Sequence, residues 1–440
     1  MALKVDPVLL IISPIHQLKN INLEFGFDLI ILISKDSEDN NIIYNLIQHH
    51  EANFVQLAIT KYKISDLVVI AKQDKFDPHI LKKDLLQMYE NNTHPPLALL
   101  IPYRQVPVYS YREDGAVCSF IASLSIIDFK FEPNTFRRLD KLCYSIAYSY
   151  LNSASSKNIE IIQVGKPMQK DIEINENIAK LAKSLIVIPQ KGSLNLLNRC
   201  LTHLNRIKYI PAFINLCFDD QGFKRFKKDA YCNLLSLLNI YKNTPTNVGP
   251  YLSRHYSIIN TENEYIFFQD ADDVSLESRF LKQINELTSR NLDMIGSHEL
   301  RIDQIKKKIL IFRFPLDANK SLDANQFHPL FHPTALITKK AYMLSGGFST
   351  DRRFGYDSQF LLRAHFKMKI GNIDDFLYIR FKRPNSLTTH PKTKIEGNLR
   401  SFLIWRWNVD FRLVNENKLD LKDSSLAIQK HRFKYNFIKI

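Results

Sequence analysis

Tyr265-Ile266-Phe267-Phe268-Gln269-Asp270-Ala271-Asp272-Asp273 is the stretch that decides the fold, because a short apolar run ends abruptly in three acids. Such a run, too short for a helix, reads as a strand buried on both faces of a sheet. Working outward, Ser184-Leu-Ile-Val-Ile-Pro189 is a second run, closed by proline and followed by Gln190-Lys191-Gly192. Phe213 to Phe218 is a third, closed by Asp219-Asp220-Gln221-Gly222. Between them Leu194, Leu197, Leu201 and Leu204 recur at helical spacing, with Gly192-Ser193 supplying the turn and an N-cap. The pattern further predicts an apolar helix around Leu234 to Ile240, a polar loop from Asn243 to Gly249 and a helix around Ser253 to Ile259. After Asp273 it predicts a helix starting at Ser275, with Glu277 in its first turn and Phe280, Leu281, Ile284 and Leu287 facing inward. Alternating strands and helices give a parallel, doubly wound α/β sheet. Ligands of such sheets bind outside the carboxyl ends of the strands where strand order reverses, and here three chemically loaded strand ends can meet.

Composition narrows the class. With 440 residues there is room for about two to four domains, and 45% hydrophobic with 24% charged residues excludes disordered and fibrous classes. No apolar stretch reaches the length needed to span a bilayer, and residues 1–13 read as a first core strand rather than a signal peptide. The five cysteines are odd in number, lack metal-type spacing and sit in apolar settings, which suits buried thiols in a reducing cytosol. The net charge of +15 fits either an anionic partner or a solvated lysine-rich exterior. No nucleic-acid-binding signature accompanies it, so no nucleic-acid partner is expected.

Three acids at the mouth of a buried strand need a counter-charge. A divalent cation with a taste for oxygen ligands, Mg2+ or Mn2+, would supply it and keep positions open for substrate phosphates. The alternative is that Asp272 and Asp273 only cap the following helix.

Residues 184–390 resemble a family 2 type glycosyltransferase with a GT-A fold, the Rossmann-like architecture of nucleotide-diphospho-sugar transferases. Ser184 to Pro189 is similar to the opening strand of that family, Asp219-Asp220-Gln221-Gly222 to its second-strand acids, and Asn247-Val-Gly-Pro-Tyr-Leu-Ser-Arg254 to its NxGxxxxR segment. Gln269-Asp-Ala-Asp-Asp273 resembles its DxD motif; His332-Pro-Thr-Ala, Ser345-Gly-Gly-Phe348 and Gly355-Tyr-Asp357-Ser-Gln-Phe-Leu-Leu-Arg363 resemble its later glycine and acid region. The resemblance implies a metal-dependent inverting transfer from a nucleotide sugar, a UDP-sugar by family habit, to an oligosaccharide or lipid-linked acceptor in building a bacterial surface glycan such as lipopolysaccharide or capsule. It implies Asp357 as the base, and Pro189, Gln190, Asp219 or Asp220, Asn247, Gly249, Arg254 and Asp270 around the nucleotide. Asp270 and Asp272 would hold the metal, with His390 as a late histidine ligand among the candidates His328, His332 and His390. The chain departs from the family at Gln190-Lys191-Gly192, at His255 and at Tyr356. Trp405 and Trp407 either stack on an acceptor sugar or pack the last helix.

The organisation expected is an α/β domain over 1–175, the GT-A domain over 181–395 and a basic, helical extension over 396–440. The first domain lacks an acid cluster, but Asp66 to Ile70 followed by Phe76 to Lys83, and later Phe136 to Leu142, echo the order of features in the second half. A degenerate GT-A-like repeat and an unrelated α/β domain both satisfy that echo. Lys430 to Ile440 interleaves basic and apolar residues, which suits an anionic membrane surface, a final strand or a frayed tail. The expected location is cytoplasmic, with peripheral attachment to the inner face of the plasma membrane under the first of these. Two other functions fit parts of the pattern: a catalytically inactive glycan-binding scaffold, and a sugar nucleotidyltransferase, for which Gln190-Lys191-Gly192 is a poor phosphate loop.

Overall fold

The computed structural model describes residues 174–391, 393–394, 397–430 and 435–440, and before them 8–12, 29–34, 66–71, 98–102, 116–118, 121–122, 144, 147–148, 151–152, 160–164 and 166. The chain divides into two compact units, the first formed by 1–107, 116–170 and 306–311, the second by 108–115, 171–305 and 312–440. The second unit therefore takes in residues 396–440, set apart above as an extension.

In the first unit the described strands are β1 (Val8–Ile12), β2 (Leu29–Ser34), β3 (Asp66–Ala71), β4 (Ala98–Pro102), β5 (Ala116–Cys118), β6 (Ile121–Ala122) and β7 (Glu160–Val164). Their sheet runs β1-β2-β3-β6-β4-β7, parallel at β1/β2 and β4/β7 and antiparallel between. β5 pairs antiparallel with residues 309–311. The opening strand stands at the edge of this sheet. The segments 76–83 and 136–142, which carried the echo of the second half, lie outside the described residues, as does Cys143.

The second unit opens with α1 (Ile174–Leu181), β8 (Ser184–Gln190), α2 (Leu194–Leu204), β9 (Phe213–Phe218), β10 (Leu238–Thr244), α3 (Pro250–Ile259), β11 (Tyr265–Phe268), β12 (Val274–Ser275) and α4 (Arg279–Ser289). It continues through β13 (Met294–Asp303), α5 (Ala318–Asp323), β15 (Leu336–Thr338), α6 (Lys339–Leu344), α7 (Tyr356–His365), β16 (Ile370–Lys382), α8 (Asn398–Asn415) and β17 (Asn436–Lys439), while β14 (Lys308–Phe312), between β13 and α5 in sequence, belongs through Ile311 to the first unit. The sheet order is β12-β16-β13-β15-β11-β8-β9-β10-β17. Strands β10, β9, β8 and β11 run parallel, β15 turns against β11, and β17 closes the far edge antiparallel to β10. The chain leaves β8 toward β9 and β10, then returns to β11 on the other side of β8. That reversal opens a crevice at the carboxyl ends of β8 and β11.

Period-two alternation builds the core on both faces. Leu185, Val187, Ile266 and Phe268 point to one face, where they join Tyr251, Tyr356, Phe360, Trp407 and Phe411 from α3, α7 and α8. Ile186, Ile188, Phe267, Leu216 and Phe218 point to the other, against Leu197, Leu201 and Leu204 of α2 and Phe280, Ile284 and Leu287 of α4. Both faces of β8 are covered, which is why its sequence is apolar throughout. Cys200 and Cys217 are buried thiols, and Cys232 is exposed.

Two local expectations change. Leu238 begins a strand and not the end of a helix, because its backbone pairs with Ile214 of β9; only a short 3-10 turn, Cys232–Leu234, precedes it. Ser275 does not cap α4: it pairs with Tyr378 of β16 and its hydroxyl donates to Gln269 Oε1 at 2.6 Å, so the helix starts later, at Arg279. Trp407 packs against Tyr356 with ring centroids 6.2 Å apart, while Trp405 is 60% exposed. The last residues of the basic tail form β17, with 431–434 outside the described residues. Among the described residues no helix is long and apolar enough to cross a membrane.

Candidate functional site

The ends of β8 and β9 and the loop after β10 are stitched together by their own polar groups. The Asp219 carboxylate accepts from the backbone N–H groups of Val248 and Gly249, each at 2.8 Å, and from Asn243 Nδ2 at 3.1 Å. Asp219 is thus buried and engaged on both oxygens, and its work is to fix the loop that carries Asn247 and Gly249. Asp220 accepts from the backbone N–H of Gly192 at 2.6 Å and of Gly222 at 2.7 Å, holding the turn after β8. Lys191 Nζ donates to Asn247 Oδ1 across that turn. Gln190 is buried with its amide over the carbonyls of Gly192 and Ser193, and Pro189 is half-buried beside it. Gly249 sits at φ 99, where a Cβ would lie 3.0 Å from the Arg353 backbone, so both conformation and space demand glycine.

At the end of β11 the chain turns through Gln269 to Asp273. Arg279, fully buried, anchors that turn: its guanidinium donates to the Phe268 carbonyl at 2.7 Å, Gln269 Oε1 at 2.9 Å and the Ser275 hydroxyl at 2.8 Å. Asp273 is also buried, accepting from the Phe381 backbone N–H at 2.8 Å and the Tyr378 hydroxyl at 3.1 Å. Carboxylate oxygens of Asp270, Asp272 and Asp273 lie within 4.8 Å of one another. Burial pushes the Asp270 carboxyl above the usual carboxylate range despite the Arg254 charge, and Asp273 further, since burial there is joined by repulsion from Asp272 and Asp270.

Counter-charge is supplied by arginines. Arg254 pairs with Asp270, Arg383 Nε donates to Asp272 Oδ2 at 2.8 Å, and Arg199 donates to the Asp272 carbonyl. Half-buried Arg380 stands near all three acids; desolvation works against its charge, but Glu299 and the aspartates more than restore it. The donor set still fits a divalent cation: Asp270 and Asp272 are part-exposed hard-oxygen groups, and their arginines engage Oδ1 of the first and Oδ2 of the second. Asp273, with both oxygens occupied by the protein, shapes the turn. His390, expected as a metal ligand, lies on the turn after β16, where its backbone N–H donates to Ser386 at 2.8 Å; the third group of the cluster is Asp273.

Asp357 lies in the first turn of α7, whose N-terminal dipole favours a carboxylate. Gly355, at φ 85, occupies the cap position, so Asp357 is free of capping duty. It accepts from the Tyr251 hydroxyl at 2.9 Å. Burial alone would raise its carboxyl, but Arg400 and the Tyr251 hydrogen bond, among other neighbours, outweigh that and hold it below the usual range. His332 is a neutral imidazole, lowered to about 3 by burial and the nearby Arg254, and it stacks on Phe268 with centroids 4.3 Å apart.

Sequence reasoning missed Tyr251, Arg279, Arg380, Arg383 and Arg400. Tyr251 falls inside the quoted Asn247–Arg254 stretch, and Arg380 and Arg383 form a basic run at the end of β16, a signal that a search for carboxylates passes over.

No protein-family model matches the chain, and no curated protein matches it. Among solved structures the chain is similar to S. aureus TarS 1-349 in complex with UDP-GlcNAc, at 15% identity over 52% of this chain and 72% of that one, with a TM-score of 0.40. It is also similar to S. aureus TarS 1-349 in complex with UDP, at 14% identity over 54% of this chain and 76% of that one, TM-score 0.38. A third is GalNAc-T7 with UDP, GalNAc and Mn2+, at 11% identity over 53% of each chain, TM-score 0.38.

Proposed function

We propose that the second unit is a metal-dependent glycosyltransferase that moves a sugar from a nucleotide sugar to a growing glycan, with inversion at the anomeric carbon. The observation that carries this reading is that α3 holds one acid from each half of the reaction: Tyr251 donates to Asp357, and Arg254, one turn on, pairs with Asp270. A transferase of this kind needs a cation-binding pair of carboxylates for the leaving diphosphate and a separate carboxylate for the acceptor hydroxyl.

In this reading Asp270 and Asp272 hold a divalent cation, which when bound neutralises the departing diphosphate. Asn247, Gly249 and the turn Gln190–Gly192 line the nucleotide side of the crevice, with Asp219 and Asp220 fixing them from behind. Asp357 takes the proton of the acceptor hydroxyl. Its ionised state is kept by Arg400, Tyr251 and the helix terminus, so it is ready at any pH above the acid range. Arg254 keeps Asp270 oriented, and Arg279 keeps the whole turn in place.

UDP and UDP-GlcNAc, the ligands of the TarS structures, are the first probes. Calorimetric titration of UDP with and without Mn2+ tests the reading, with Asp272→Ala as the control. Binding that needs both metal and Asp272 supports it; UDP that does not bind under any condition moves the chain to an inactive scaffold.

A further inference from the structure

Arg383 follows directly on β16 and spans the carboxylate cluster with a single hydrogen bond, Nε to Asp272 Oδ2 at 2.8 Å. Its side chain and that of Asp272 are both part-exposed, at 27% and 23%. Among the described residues no protein group accepts from its terminal Nη1 and Nη2. The planar fork that best matches a phosphate is therefore left over at the mouth of the site, while the one nitrogen used for anchoring rests on a carboxylate that a metal would claim. Arginine and cation compete for the same carboxylate: a cation on Asp272 withdraws electron density and geometry from Arg383, and Arg383 on Asp272 repels a cation.

We propose that Arg383 is a diphosphate-binding residue that exchanges Asp272 for the donor's diphosphate when a divalent cation takes that carboxylate. The consequence is synergy. Without nucleotide, Arg383 screens Asp272 and weakens metal binding; with metal in place, the released guanidinium joins the cation in holding the diphosphate. The donor's two phosphates and the metal then bind more tightly together than either does alone. Arg254, which pairs with Asp270 through its terminal Nη2, is buried and stays where it is. This inference rests on the glycosyltransferase reading, and its test separates the two.

The experiment compares wild type, Arg383→Gln and Arg383→Lys, with Mn2+ binding read by electron paramagnetic resonance and UDP and uridine binding read by calorimetry. The exchange requires opposite signs. Arg383→Gln should bind Mn2+ alone several-fold more tightly than wild type, and should bind UDP at saturating Mn2+ about 10–100-fold more weakly, the range for a charge-assisted contact. Uridine affinity should not change, which also reports an intact fold, and Arg383→Lys should fall between the two. A variant in which both affinities weaken, or in which neither moves by more than about twofold, overturns the exchange. UDP that fails to bind wild type at all overturns the glycosyltransferase reading itself and the exchange with it, whereas UDP binding that Arg383→Gln leaves intact overturns only the role of Arg383.

Discussion

Tyr251 and Arg254 stand one turn apart on α3, and from that one helix face the first holds Asp357 through its hydroxyl at 2.9 Å while the second pairs with Asp270. Under the proposed function, a single rigid element thereby sets the donor side and the acceptor side of the crevice. Asp219 supports it from below, since its carboxylate receives the N–H groups of Val248 and Gly249 at the entrance of the same helix.

Asp357→Asn keeps the shape of the proposed base and removes its capacity to take a proton. Transfer should fall by about 10²–10⁴-fold, the usual worth of a general base, while UDP affinity in the presence of Mn2+ stays unchanged. Single-turnover assays beside calorimetry check both halves.

Tyr251→Phe deletes one of the groups that keep Asp357 ionised. The carboxyl should rise toward and above its ordinary range, because burial then has less to oppose it. A raised pKa moves the acid limb of kcat/KM upward in pH. A pH–rate profile superimposable on wild type would mean that Tyr251 does not tune the base.

Arg279→Met should cost on the order of 3–5 kcal/mol of stability, since several buried acceptors around Gln269, Ser275 and Phe268 lose their donor at once. Metal binding should weaken as well, because the turn from Gln269 to Asp273 loses its anchor. Urea unfolding and Mn2+ titration of the same preparation would separate the two effects.

His332 links acidity to stability. Its pKa is about 3 in the folded chain against 6.5 as the ordinary value, so below pH 6.5 the unfolded chain binds the proton first and stability falls as pH drops toward 3. Above 6.5 the group contributes no pH dependence. His332→Asn should flatten the decline in urea midpoint between pH 6 and pH 4 without abolishing it, since burial lowers His298 and His328 in the same direction.

The parallel core of the second unit was readable because β8, β9 and β11 are buried on both faces and must be apolar at every position, a pattern that survives without any knowledge of neighbours. β10 was not, because Leu238–Thr244 is half-buried and polar, and only its pairing with β9 makes it a strand. The acids at the strand ends announced the site, but their division of labour did not. Asp219 accepts from the N–H groups of Val248 and Gly249 and from Asn243, and Asp273 from the Phe381 N–H and the Tyr378 hydroxyl, partners that no local pattern encodes. Arg383 and Arg400 come from after β16, more than a hundred residues from the acids of β11 in the first case, so their pairing is a product of tertiary structure alone.

The most direct test of a metal-dependent nucleotide site is calorimetric titration of UDP into wild type, Asp272→Ala and Asp357→Asn, each with Mn2+ and with chelator. The expected result is binding to wild type and Asp357→Asn only when Mn2+ is present, and none to Asp272→Ala. Binding of equal strength in chelator, or no binding to wild type in any condition, would contradict the assignment of Asp270 and Asp272 as the metal-holding pair of a nucleotide-sugar transferase.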